Sequence, residues 1–215
     1  MRKIDFEKAT ADELWDWCLL EYQSRNPITQ HLINYYYAGL AGMLNRLKSD
    51  DRVLEVGCGA AESTRRISSL LKSQHFEASE YDTRFVQKLK ETKFPIKVIQ
   101  ESVYELQRQD RSYDCVILLE VLEHLDDYHK ALSELFRVSR RDVIVAVPNE
   151  PLWRVLNVMR GRYVSDGGNT PGHINHWSPT QFRMLIEEFG TIKSVVKPLP
   201  WVMVLARTKD SVDDV

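Results

Sequence analysis

Three clusters in this chain combine residue types and spacings that chemistry uses. The first is Val53-Leu54-Glu55-Val56-Gly57-Cys58-Gly59-Ala60-Ala61-Glu62, where two glycines follow a short apolar run. The second, Glu120-Val121-Leu122-Glu123-His124, follows the apolar run Cys115-Val116-Ile117-Leu118-Leu119. The third is Gly172-His173-Ile174-Asn175-His176-Trp177-Ser178-Pro179. A Gly-x-Gly closing a strand tolerates unusual φ values and lets a ligand approach the backbone. Carboxylates and imidazoles at a strand end are placed to move a proton or to meet a cofactor. His124 is the first candidate base, with His173 and His176 next.

Positioning these clusters takes an alternation of short β-rich runs with helical segments. Strands are expected at 52–56, 75–79, 96–99, 113–119 and 142–147, with helices near 61–72, 83–90 and 128–139. Such βαβ alternation means a parallel sheet covered on both faces, and the continuously apolar fourth and fifth runs suit its centre. Ser178-Pro179 opens a last helix running to Gly190. Two β-rich runs then follow, 191–196 and 201–207, joined by Lys197-Pro198-Leu199-Pro200, a link short enough to permit only an antiparallel pair. The expected fold is α/β, with five parallel strands and a closing hairpin. Ahead of it, Thr10 caps one helix and a second runs through Ile33, Tyr37, Leu40, Leu44 and Leu47 after the break at Asn26-Pro27. The chain thus divides into a helical cap at 1–48, an α/β domain at 49–207 and a tail at 208–215.

The glycine turn also discriminates between cofactors. A dinucleotide site wants Gly or Ala at the sixth position of its fingerprint, where this chain has Glu62. A carboxylate there would repel a pyrophosphate at the helix N-terminus. S-adenosylmethionine (SAM) has no phosphate and carries a sulfonium cation, beside which Glu55 and Glu62 are tolerable. Glu80, at the end of the second strand, is placed to accept hydrogen bonds from both ribose hydroxyls, with Asp82 as its rival.

The segments 53–64, 78–85, 113–125 and 143–149 together resemble class I SAM-dependent methyltransferases, especially the type 11 family of small-molecule enzymes. The resemblance implies a Rossmann-like sheet of order 3-2-1-4-5-7-6, the seventh strand antiparallel, with helices on both faces. It assigns Glu55, Gly57, Gly59 and Ala61 to the methionyl part of SAM and Glu80 to its ribose, with Tyr81 beside it. Ser102 stands where the family often has the aspartate that reads adenine, and Glu101 is the possible substitute. Glu120 joins the cofactor set, and S-adenosylhomocysteine is the product. Small-RNA 3′-terminal ribose methyltransferases share a Glu-x-x-Glu-His run plus a later His. Under that alternative, Glu120, Glu123, His124 and His173 would hold a divalent metal. The expectation adopted here is no metal.

Composition narrows the classes. With 43% hydrophobic and 28% charged residues the chain is globular, and a net charge of −2 gives no broad drive toward nucleic acid. No apolar run approaches the roughly 20 residues that span a bilayer, and the first seven residues lack a secretory core. Three cysteines without a CxxC pair point to reduced thiols and a cytoplasmic setting. The expected partner is a small-molecule acceptor, methylated on O or N in preference to C or S. A non-catalytic SAM-binding protein is the remaining alternative. Residues 160–177, rich in glycine, are expected to form a mobile lid. Arg154, Arg160 and Arg162 read as a solvated helix face, and Tyr35-Tyr36-Tyr37 cannot all face one side of a helix.

Overall fold

The computed structural model describes residues 8–20 and 22–209. The first seven residues and most of the expected tail lie outside them. In chain order the elements are α1 (Ala11–Leu19), α2 (Pro27–Leu44), β1 (Arg52–Val56), α3 (Glu62–Leu70), β2 (His75–Glu80), α4 (Thr83–Glu91), β3 (Lys97–Gln100), β4 (Tyr113–Leu119), α5 (Tyr128–Val138), β5 (Ser139–Pro148), α6 (Leu152–Met159), α7 (Pro179–Phe189), β6 (Gly190–Val196) and β7 (Trp201–Thr208). One sheet holds all seven strands in the order β3-β2-β1-β4-β5-β7-β6. The first five are parallel, and β7 runs antiparallel to both β5 and β6.

Alternation along the central strands sends side chains to two cores. Val116 and Leu118 of β4 join Val143, Val145 and Val204 against Leu132 and Leu135 of α5 and Phe182 and Ile186 of α7. Cys115 and Ile117 point the other way, with Ile144, Met203 and Leu205, against Ile33, Tyr36, Leu40 and Leu44 of α2 and Ile67 of α3. The helix expected within an N-terminal cap is thus also one wall of the sheet's core. Asn26 caps α2, accepting from the Ile28 and Thr29 N–H groups, and Pro27 occupies its first turn. Thr10 and Glu13 close a capping box on α1. That helix is held to α4, where Lys88 pairs with Asp12 and Arg84 Nη1 donates to the Ala9 carbonyl at 2.7 Å.

The elements differ from expectation mainly at their ends. Ala61 adopts a left-handed φ of 60° and caps α3 without entering it. β5 begins at Ser139, three residues early, where Ser139 pairs with Tyr113 before a register shift. α6 carries Arg154 of the stretch read as a solvated helix face, while Arg160 caps it and Arg162 lies beyond. No described helix is long and apolar enough to cross a membrane.

Because Leu40 is fully buried in the α2–sheet core, Leu40→Ala is expected to cost about 2–5 kcal/mol. Urea unfolding should show a lower midpoint with an unchanged slope. A midpoint within error of wild type would mean that α2 is a detachable cap.

Candidate active site

The cleft lies at the carboxyl ends of the parallel strands, the edge where open α/β sheets place ligands. At its first wall, the N–H groups of Gly57 and Cys58 both donate to the Ser79 carbonyl, at 2.8 and 3.0 Å. Glu80 then bridges the two strand ends. Its Oε2 accepts from Gly59 N–H at 2.7 Å and its Oε1 from Asp82 N–H at 2.9 Å. Burial pushes its pKa upward, opposed by these bonds. Gly57 has φ +74°, and a Cβ there would stand 2.7 Å from Val121 Cγ2. Gly59 has φ +51°, yet a Cβ there would meet nothing within 4 Å. Gly57 is therefore demanded by packing, whereas Gly59 faces open space. Beneath the turn Glu55 is buried, its pKa pushed up to about 7 by desolvation, with Oε2 left without a hydrogen bond. An open glycine, an acidic strand end and an unsatisfied buried carboxylate fit a cofactor carrying hydroxyls and positive charge.

Asp82 is taken up by Arg84, which donates to both its oxygens, whereas the oxygens of Glu80 accept from backbone N–H groups. Glu101 is likewise occupied. Its carboxylate accepts from Arg108 at 3.0 and 3.1 Å and from Gln107 N–H at 3.1 Å. Ser102 Oγ accepts from Tyr104 N–H at 3.2 Å, and Tyr81 is exposed.

The second and third clusters meet each other. Glu120 follows β4 with φ +57°, and its Oε2 accepts from Trp201 Nε1 at 2.7 Å while Oε1 has no partner. Glu123 is 1% exposed, and its Oε2 has none either. The Glu123 carbonyl accepts from Ile174 N–H at 2.9 Å and Asn175 N–H at 3.1 Å, joining the β4 exit to the histidine loop. His124 Nδ1 lies 2.9 Å from the Gly172 carbonyl. Since a carbonyl only accepts, Nδ1 carries the proton and Nε2 keeps its lone pair. The His124 and His173 rings meet edge to face at 4.9 Å. His173 is buried, its pKa pushed down to about 3 by desolvation first and then by its neighbouring histidines. Glu120 and Glu123 are both raised, by desolvation above all, with Glu123 adding its charge to Glu120. Glu123, His124 and His173 each offer a donor atom within 4.8 Å of the others, a set able to ligate a metal ion.

These groups line a cavity of about 290 Å³ between α1, α2 and the α6 region. Trp201, Trp153, Tyr36 and Tyr37 complete much of its wall. Tyr35 points out to solvent, resolving the tyrosine run. His176 is not among the residues that line the cavity, and its Nε2 lies 2.7 Å from Asn169 Oδ1. Sequence reasoning missed Trp201, whose only signal was an aromatic at a strand start after a Pro-rich turn. Arg160 and Arg162 are wall residues, and Arg154 Nε binds the Gly167 carbonyl at 3.1 Å. Asn157 Nδ2 holds the Gly168 carbonyl at 3.0 Å and Trp153 Nε1 holds Thr170 Oγ1 at 2.9 Å. The expected lid is thus a loop laced to α6 by polar contacts.

Known proteins place this architecture. A search of curated proteins finds no match. Among solved structures, a SAM-dependent methyltransferase from Aquifex aeolicus superposes with TM-score 0.62 at 17% identity, covering 96% of this chain and 100% of that one. Magnesium protoporphyrin IX methyltransferase from Synechocystis PCC 6803, with bound S-adenosylhomocysteine, gives 0.61 at 16% identity over 93% and 98%. A chain from the complex between the Haloferax volcanii Trm112 methyltransferase activator and a methyltransferase gives 0.67 at 12% identity over 93% and 97%. At these identities the likeness is one of fold. The sequence itself matches the methyltransferase-domain family model over residues 28–191, which is most of its length, and the chain therefore belongs to that family.

Proposed function

We propose that this SAM-dependent methyltransferase transfers its methyl group to an oxygen or nitrogen of a small molecule held in the cavity beside the β4 exit. One observation carries the reading. A cavity walled in part by aromatic rings holds two carboxyl groups and two imidazoles, and its acidic strand-end loop packs through Val121 onto Gly57 of the cofactor turn. The chamber's size suits a small molecule better than a polymer strand. Cytoplasmic action agrees with three unpaired cysteines.

Bound SAM supplies a methyl group already activated on a sulfonium, so the protein's tasks are alignment and the exclusion of water. Glu80 would hold the ribose, and the open face of Gly59, with Glu55 in the same strand-end turn, would take the methionyl part. The Nε2 lone pair of His124 is free to accept a proton from a hydroxyl acceptor, while buried His173 stays neutral beside it. Trp153, Trp201 and Tyr36 keep the reacting atoms dry. A second reading is favoured by the close grouping of Glu123, His124 and His173: metal-dependent methylation of a ribose at an RNA end.

Five outcomes test these statements. Calorimetry should show S-adenosylhomocysteine binding and no NADH binding; the reverse would sink the cofactor assignment. Gly59→Leu should abolish that binding at a folding cost of about 1–2 kcal/mol for the left-handed backbone, and Glu80→Ala should weaken it by about 1.5–3 kcal/mol. Methyl transfer should persist in EDTA, since activity lost there and restored by manganese would promote the RNA reading. Lastly, the raised Glu123 favours the folded state fully below its unfolded range, and that contribution is lost as pH climbs through its raised folded value. Thermal melts between about pH 5 and pH 9 should therefore fall more steeply for wild type than for Glu123→Gln; parallel curves would show that Glu123 titrates normally.

A further inference from the structure

Several buried carboxylates of this protein are matched by cations. Asp51 and Asp142 are held by Arg141, and Asp114 by Arg140. Glu101 is held by Arg108. Others are not, among them Glu55 under the cofactor turn and the chamber pair Glu120 and Glu123. Neither forms an ion pair among the described residues, each keeps one oxygen without any hydrogen bond, and no cationic side chain ranks among the influences on either group. The unsatisfied oxygens are not alone. Tyr36 Oη and His173 Nδ1 are buried in the same chamber without partners. Two of these four unmet polar atoms are carboxylate oxygens, which accept when ionised, so the cavity is built to receive a donor that the chain does not supply.

The walls identify the donor's chemistry. Rings run in contact from Tyr36 to Trp201 at 5.0 Å, to Trp153 at 5.7 Å, to His173 at 6.2 Å and to His124 at 4.9 Å. Trp201 also donates to Glu120, so an aromatic edge and a carboxylate meet at one point. Ring faces with carboxylates among them form the environment that binds an organic ammonium, through cation–π attraction and charge-assisted hydrogen bonds. Arg160 and Arg162 line the chamber too, from the end of α6 and the turn after it. The imidazoles that share the space are held neutral and do not repel a cation.

We infer that the acceptor is an amine, bound as its ammonium by Glu120 and Glu123 within the ring of Tyr36, Trp201 and Trp153. This rests on the small-molecule methyltransferase reading and narrows it from oxygen or nitrogen to nitrogen. The amine nitrogen gives one proton to the Glu123 carboxylate and regains a lone pair. That pair forms the new N–C bond to the methyl carbon as the C–S bond breaks, its electrons passing to sulfur. The product leaves as the methylated ammonium with S-adenosylhomocysteine, and Glu123 returns its proton to solvent.

The test is a matched panel of primary amines, alcohols and carboxylic acids on phenyl and indole skeletons. Each is titrated into the full chain saturated with S-adenosylhomocysteine, then assayed with SAM for methyl transfer. Binding and turnover should be confined to the amines. Glu123→Gln should weaken amine binding by about tenfold or more while leaving S-adenosylhomocysteine affinity unchanged. Preference for the alcohols or acids, or no binding by any amine, would overturn the inference. So would tight binding of manganese alone that Glu123→Gln abolishes, since the same oxygens would then be metal ligands. If S-adenosylhomocysteine itself failed to bind, the methyltransferase reading would fall first; if it bound normally and no amine did, only the amine would be lost.

Discussion

A carboxylate removed from water must be paired or must take up a proton, and this protein meets that requirement in opposite ways at the two ends of its sheet. At the amino edge Asp51, Asp114 and Asp142 are buried, and Arg140 and Arg141 reach in to neutralise them. Arg52 N–H also donates to Asp114 at 2.8 Å, fixing where β1 starts beside β4. That edge is closed and its charges are settled. At the carboxyl edge Glu55, Glu80, Glu120 and Glu123 form no ion pair among the described residues, and the pKa of each is raised. Strongly perturbed carboxyls in a cleft mark the functional edge more reliably than their residue type does.

The backbone is arranged to keep those groups in place. Gly57 and Glu120 both adopt positive φ, and they end neighbouring strands. For a glycine that conformation is free; for a glutamate it costs energy that surrounding structure must offset. The Glu120 N–H donates to the Ala146 carbonyl at 3.0 Å and its side chain accepts from Trp201, so both halves of the residue are held. The strain turns the carboxylate into the chamber instead of continuing β4.

Much of this architecture was legible in residues that leave little choice. The seven apolar or aromatic-flanked positions of β4 are buried throughout and could only sit at the centre of a sheet. The Gly57-x-Gly59 turn and Glu80 proved to be joined by a hydrogen bond, so the pair read as a cofactor wall is one physical unit. What sequence did not disclose was which acids are already committed. Glu101 and Asp82 look as available as Glu80 until Arg108 and Arg84 are seen to occupy them, and those arginines are short-range partners that motif order ignores. His176 and His173 differ by three positions, yet one turns to Asn169 and the other to the chamber. Loop side chains have no periodicity from which that choice can be read.

The closing hairpin shows why the site needs an antiparallel strand. Parallel strands bring only their carboxyl ends to the cleft, each followed by a loop that must turn back toward a helix. β7 runs the other way between β5 and β6, and its first residue, Trp201, pairs with Pro148 at the last position of β5. A strand start is thereby delivered to the edge where the others end. Its side chain is fixed by the ladder and not by a loop, which is why one indole can hold Glu120, touch Tyr36 and touch Trp153 at the same time. The hairpin therefore does more than complete the sheet. It supplies the rigid ring against which the strained end of β4 and the aromatic face of α2 are both set.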